Sequence, residues 1–157
     1  RLLVWINPEN YASDKGFQTV QALYAIGSGG LFGKGLGKSL QKLGYIPESQ
    51  NDMIFSIICE EIGLFGAIFV IIVFGVMLWR IAHVAQNAPD LFGTLLVSGV
   101  FAHIAIQVVL NIAVVTNFIP NTGVSLPFIS YGGTSETILL AEIGLVLNVS
   151  SKIRLES

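Results

Sequence analysis

The sequence predicts an all-α fold, a polytopic transmembrane helical bundle, and three observations carry that prediction. Of 157 residues, 53% are hydrophobic and only 11% charged, where soluble domains carry about 25% charged residues. The mean hydropathy is +0.74. The charges are also unevenly spread. Between Ile62 and Ser151 there are four (Arg80, Asp90, Glu136 and Glu142), and the other fourteen lie in residues 1–61 and in the last six. The apolar stretches between are separated by segments rich in Gly, Pro and Asn, the residues that end helices.

The first 51 residues read as an extracytoplasmic loop, partly helical. Asn7-Pro8 and Asp14-Lys15-Gly16 are turn signals. Phe17, Val20 and Tyr24 recur at helical spacing, which predicts a short amphipathic helix over 17–26. Six glycines follow in the eleven positions from Gly27 to Gly37. Gly37-Lys38-Ser39 is not a phosphate-binding P-loop: that motif needs a glycine at position 32, which is Phe32. A surface or re-entrant loop that uses glycine for unusual backbone angles is the simpler reading. Another helical turn is expected over 39–44, ended by Tyr45-Ile46-Pro47.

Three transmembrane helices are expected after it. The first covers 53–82, and its stretch from Ile62 to Trp79 holds eighteen residues without a charge; about 20 are needed to cross a bilayer. Trp79 and Arg80 read as interface anchors. Asn87-Ala88-Pro89-Asp90 is a tight connector, and the second helix covers 91–115. An outer loop follows over 116–134, then a third helix over 135–149 and a cytoplasmic tail over 150–157. The connector and tail carry Arg80, Lys152 and Arg154 while the 116–134 loop carries no basic residue, so the positive-inside rule places connector and tail in the cytoplasm. The lysines of 1–51 pull the other way. The opening Arg1-Leu2-Leu3-Val4-Trp5 reads as the exit of an earlier apolar element, so one membrane domain is expected over 1–157, as the C-terminal part of a larger bundle. The single cysteine, Cys59, excludes an internal disulfide. No basic run suggests nucleic acid.

Asp52 is the candidate reactive residue. It stands where the polar segment turns apolar, with water on one side and low-dielectric surroundings on the other. A reactive acid or base and a helix cap both fit that place. Asp52, Ser56 and Glu60 recur every four residues, with Glu61 adjacent. Asp52 and Glu60 are then about 12 Å apart along a helix, beyond the ~5–10 Å separation of a two-carboxylate glycosidase. Glu60 and Glu61 are expected to anchor the glycine-rich segment or bond another helix. His103, Gln107 and Asn111 also recur every four residues; such a polar face points into the bundle, as interhelical glue or as a cavity lining. Lys34, Lys38 and Lys42 have the same spacing and form a cationic stripe if helical, or else surface charge near anionic lipid. Ser130-Tyr131-Gly132-Gly133 leads into the third helix, whose N-terminal amides suit an anion; capping by Thr134 or Ser135 is the alternative.

Two long motifs give the chain a family resemblance that covers nearly its whole length. The first runs from Gly29-Gly-Leu-Phe-Gly-Lys-Gly-Leu-Gly37 through Gln41-Lys-Leu-Gly-Tyr-Ile-Pro-Glu48 to Asn51-Asp-Met-Ile-Phe-Ser56 and Gly63. The second runs from Asn111-Ile-Ala-Val-Val-Thr-Asn-Phe-Ile-Pro-Asn-Thr-Gly123 to Ser130-Tyr-Gly-Gly-Thr-Ser135. Both resemble the SEDS family (shape, elongation, division and sporulation), which includes FtsW, RodA and SpoVE; the connector is similar to the FtsW/SpoVE branch. Gln50-Asn51, Met53, Ala113 and Thr134 depart from the family's frequent residues, and Glu142 is not one of its characteristic positions. The resemblance implies a fold of about ten spans, of which these are the last three. It implies a peptidoglycan glycosyltransferase that polymerises lipid II, an undecaprenyl-pyrophosphate-linked sugar, on the outer face of the bacterial cytoplasmic (inner) membrane. It also implies a class B penicillin-binding protein, a transpeptidase, as partner. The family's essential aspartate falls on Asp52.

That chemistry asks for a group to accept a sugar hydroxyl proton, and Asp52 fits as the general base. The alternative is a divalent cation, Mg or Mn, held by Asp52 against the pyrophosphate. Lys34, Lys38, Lys42, Asn51, Ser130, Tyr131, Gly132 and Gly133 are the expected substrate-binding residues. Glu60, Glu61, His103, Gln107 and Asn111 are the expected structural polar network. A lipid II flippase and a non-catalytic scaffold for the transpeptidase are the rival functions.

Overall fold

The computed structural model describes residues 17–35 and 52–153. Among them it contains four helices and no strand: α1 Phe17–Gly29, α2 Ile54–Gln86, α3 Leu91–Val115 and α4 Gly133–Ser151. The expected turn over 39–44 lies outside the described residues. α2 packs on both α1 and α3, and α4 lies chiefly on α3. The first helix after the loop ends at Gln86, about one turn beyond Ala82, where Asn87 donates through its side chain to the carbonyl of His83 at 2.8 Å.

α2 has 33 residues, about 50 Å of helix at 1.5 Å per residue, which exceeds a ~30 Å hydrocarbon core. It is not continuous. Gly63 has φ 75° and ψ −163°, a conformation essentially confined to glycine. An unbroken helix would bond the N–H of Leu64 and Phe65 to the carbonyls of Glu60 and Glu61. The glycine-rich segment after α1 supplies partners for all four groups instead. Lys34 N–H donates to Glu60 (2.9 Å) and Gly35 N–H to Glu61 (3.0 Å), while Leu64 N–H donates to Gly30 (3.0 Å) and Phe65 N–H to Leu31 (3.5 Å). The two backbones approach so closely that side chains would not fit: a Cβ at Gly29 would overlap the Cys59 carbonyl, and one at Gly63 would overlap Leu31 and Gly33. In low-dielectric surroundings each unpaired backbone group costs several kcal/mol, so the break and the loop need one another.

The two halves of α2 are buried differently. Before the break Phe55, Ser56, Ile57, Cys59 and Glu60 are all buried. After it only Gly66, Ala67, Phe74, Ile81 and Ala85 are, a seam of roughly seven-residue period that packs on Val97, Val100, Ile104 and Val108 of α3. Most of the rest of that half is exposed and apolar, from Leu64 and Phe65 to Val76 and Trp79. On α1 Thr19, Val20, Ala22, Ala25 and Gly29 are buried, with Tyr24 largely exposed; small side chains let α1 come close to α2.

α2 and α3 are long and apolar enough to cross a membrane, with under a third of each apolar window buried in the structure (22% and 28%). A large apolar exterior of this kind is solvated by lipid or by further helices, not by water. The third expected span is less apolar: α4 carries Glu136, Glu142 and Asn148 and does not meet the same measure. It starts at Gly133, two residues before Ser135, and runs antiparallel to α3, with Val149 beside Gly93.

Gly63→Ala puts a Cβ into backbone and a strained φ on alanine. It is expected to destabilise the protein by about 2–4 kcal/mol, read as a lowered melting temperature in detergent. Gly75→Ala, with nothing within 4 Å of its Cβ, is expected to be neutral or mildly stabilising.

Candidate functional site at the start of the broken helix

Asp52 lies in a turn immediately ahead of α2. The N-cap is Met53, with no side-chain capping bond, and Ser56 Oγ donates to its carbonyl at 2.7 Å. Asp52 is half-buried and its carboxylate lies against the 116–132 loop, where a Cβ added at Gly123 would stand 3.5 Å from Oδ2. That loop turns away from α3 through Asn117, at φ 59°. Asn117 N–H donates to Val114 and Phe118 N–H to Ala113, a left-handed helix end with Asn in the place glycine usually takes.

Asn111 joins the two segments. It is fully buried, and its Nδ2 donates to the main-chain carbonyls of Asp52 (2.9 Å) and Val124 (2.8 Å). Its Oδ1, like Oε1 of Gln107 and Oε1 of Glu61, is buried with no hydrogen-bond partner among the described residues. His103, eight residues before Asn111, faces elsewhere. Eight residues at 3.6 per turn bring a side chain round by about 80° from eclipse, so Asn111 faces α2 while His103 reaches α4. There its Nδ1 lies 2.9 Å from Glu142 Oε1. Glu142 falls between Leu139 and Val146, two of the buried residues of α4.

The other candidates separate by what they touch. Lys34 Nζ lies 2.8 Å from Oε1 of the fully buried Glu60, so this lysine is held at the helix break and not in a cationic stripe. Lys38, Lys42 and Asn51 lie outside the described residues. Ser130 is buried, and its Oγ accepts from Leu126 N–H at 2.8 Å, closing a local turn. Tyr131 is exposed. Gly132 is the N-cap of α4, so Thr134 and Ser135 lie inside the helix, and the first amides of α4 carry no side-chain cap. Among the described residues no three His, Cys, Asp or Glu side chains gather as metal donors. A groove of about 270 Å³ beside the break is lined by Ile26, Gly30, Leu31, Cys59, Leu64 and Ala67; no charged group lines it.

The FtsW/RodA/SpoVE family model, described as cell cycle protein, matches residues 1–155. The chain belongs to that family. It is 50% identical over 150 residues to stage V sporulation protein E of Bacillus subtilis (strain 168), covering 96% of this chain and 41% of that protein. It is 46% identical over 148 residues to the probable peptidoglycan glycosyltransferase FtsW of the same organism, covering 94% and 37%. The chain thus spans about two fifths of the length of the curated relatives it matches. Among solved structures it is similar to a chain of a peptidoglycan synthase complex, with a TM-score of 0.78 and 29% identity over 99% of this chain and 42% of that one. It is also similar to the rod shape determining protein RodA of Thermus thermophilus, with a TM-score of 0.63 and 36% identity over 86% and 40%.

In this FtsW/RodA/SpoVE member, sequence reading missed two features of the polar network. The first is the His103–Glu142 pair, whose partners are 39 residues apart; no carboxylate close in sequence to His103 signals it. The second is the approach of Gly123 to Asp52, and the bridge that Asn111 makes from Val124 to the Asp52 segment, which only the return of the 116–132 loop creates.

Lys34→Met removes the counter-charge of a buried carboxylate. It is expected to cost about 2–4 kcal/mol, below the full penalty for breaking a buried pair because Lys34 is a third exposed. Combining it with Glu60→Gln is expected to recover most of the loss in a detergent thermal melt.

Proposed function

We propose that the full-length protein is a peptidoglycan glycosyltransferase that polymerises lipid II, with Asp52 as the general base. The observation that carries the reading is the placement of that carboxylate. It is half-buried at the start of α2, outside the apolar span, and fitted against the 116–132 loop. The deeper carboxylates Glu60 and Glu142 sit beside basic groups. The relatives named peptidoglycan glycosyltransferase FtsW and a solved neighbour described by its coordination of polymerization and crosslinking support the same activity.

In the proposed reaction the 4-hydroxyl of one sugar attacks the anomeric carbon of a second. Asp52 takes the hydroxyl proton as the new bond forms, and the lipid pyrophosphate leaves with the electrons of the broken bond. A divalent cation on Asp52 is the competing role. The base role is preferred because one carboxylate alone holds a metal weakly. With Lys34 engaged by Glu60, the leaving group is assigned to Lys38, Lys42 and the amides that open α4 beside Ser130-Tyr131-Gly132-Gly133. The protein would lie in the bacterial cytoplasmic membrane with the Asp52 end outside, and its partner would be a class B penicillin-binding protein. A flippase reading draws on one observation, the interrupted helix α2, a device common in transporters.

The test is polymerisation of lipid II by the full-length protein with its transpeptidase partner. Asp52→Ala is expected to lower the rate about 10²- to 10⁴-fold. An Asp52→Ala protein that polymerises normally contradicts the base assignment. Movement of lipid II across vesicle membranes without polymer favours the flippase.

A further inference from the structure

The amide of Asn111 does more than join helices. Its two N–H groups face two carbonyls, Asp52's and Val124's, which fixes the nitrogen on that side of the amide. The first carbonyl belongs to the residue that carries the reactive carboxylate. The second follows Gly123, the residue against which that carboxylate lies, itself held at φ 73°. One buried side chain therefore sets the spacing between the carboxylate and the loop that forms its wall. The oxygen of the same amide is buried without a hydrogen-bond partner among the described residues. An orphaned buried acceptor is unfavourable, and an apolar side chain of similar size would avoid it. What an apolar side chain could not do is hold both carbonyls.

We propose that Asn111 is a positioning residue for glycosyl transfer, clamping the Asp52 backbone and the Gly123–Val124 wall so that the Asp52 carboxylate meets the attacking hydroxyl. This rests on the general-base reading of Asp52. The clamp sits at the end of the carboxylate's own backbone, so its loss moves the base relative to bound sugar without removing a group that contacts substrate. A misplacement on the order of 1 Å can cost about 100-fold in rate. The effect falls on kcat, because the interaction matters for reaching the transition state and not for holding the ground state.

The test uses the full-length protein with its transpeptidase partner and purified lipid II. Asn111→Ala is expected to lower kcat about 30- to 100-fold, leave KM within about threefold, and leave the yield of folded protein in detergent near that of the native chain. Asn111→Asp keeps the size and shape, and a carboxyl has at most one donor where the amide has two, so it cannot hold both carbonyls; a loss of kcat is expected. A loss of activity confined to a raised KM overturns the proposal, as does one in proportion to lost folded protein, or native kcat in Asn111→Asp. Asp52→Ala assayed alongside separates the two claims. If it still polymerises, the base reading fails. If it is inactive while Asn111→Ala has native kcat, the positioning role alone fails.

Discussion

The structure depends on one backbone crossing. Where Gly63 interrupts α2, four main-chain groups leave the helical ladder, and Gly30, Leu31, Lys34 and Gly35 take them up. Several consequences follow from that exchange. It divides a helix too long for a bilayer into a buried half and a lipid-length half. It carries the Lys34 ammonium to the Glu60 carboxylate, which is otherwise sealed from water. It also fixes the orientation of the short half-helix whose first turn adjoins Asp52. Side-chain packing alone would do this poorly. Hydrogen bonds between backbones are directional, and the glycines at 29, 33 and 63 leave no space for either strand of the crossing to shift.

Polar groups are distributed along the bundle by depth. Glu60 and Glu142 each have a basic neighbour within 3 Å, which answers the cost of a charge in low dielectric. At the α2 start the arrangement differs. Asn111 grips main-chain carbonyls, so the Asp52 carboxylate is placed through its backbone while its side chain faces the loop wall. Holding a reactive group through its own backbone sets where its carboxylate stands at the α2 start. That logic suits a base that must take a proton at a border where water-soluble sugar and membrane-bound lipid meet.

Much of this was legible in the residues, and the parts that were not share a cause. Composition and charge spacing gave the helical membrane class, and the ranges of α2 and α3 follow the long apolar runs. α4 is harder to read because Glu136 and Glu142 dilute its hydropathy. Spacing of four put His103, Gln107 and Asn111 on a common face, but a helix turns 3.6 residues per turn, and the drift sends His103 to α4 and Asn111 to α2. The place of Lys34 was hidden for a similar reason: Lys34 belongs to a loop that packs into a helix break, and a helical period says nothing of where a loop goes. The glycine-rich run signalled unusual backbone angles, yet only the partner glycine 26 or more residues later, Gly63, explains why several are needed together. Long-range pairings such as Asn111 with Asp52, 59 residues apart, leave no local pattern at all.

The most direct test of the account is chemical rescue of the Asp52→Ala full-length protein, assayed with its transpeptidase partner on lipid II. If the carboxylate acts as a base held in place by its backbone, the vacated space accepts a small carboxylic acid anion, and added formate restores polymerisation in proportion to its concentration. If formate has no effect while raised magnesium or manganese restores the rate, the carboxylate serves a metal ion, and the base at the centre of this account is contradicted.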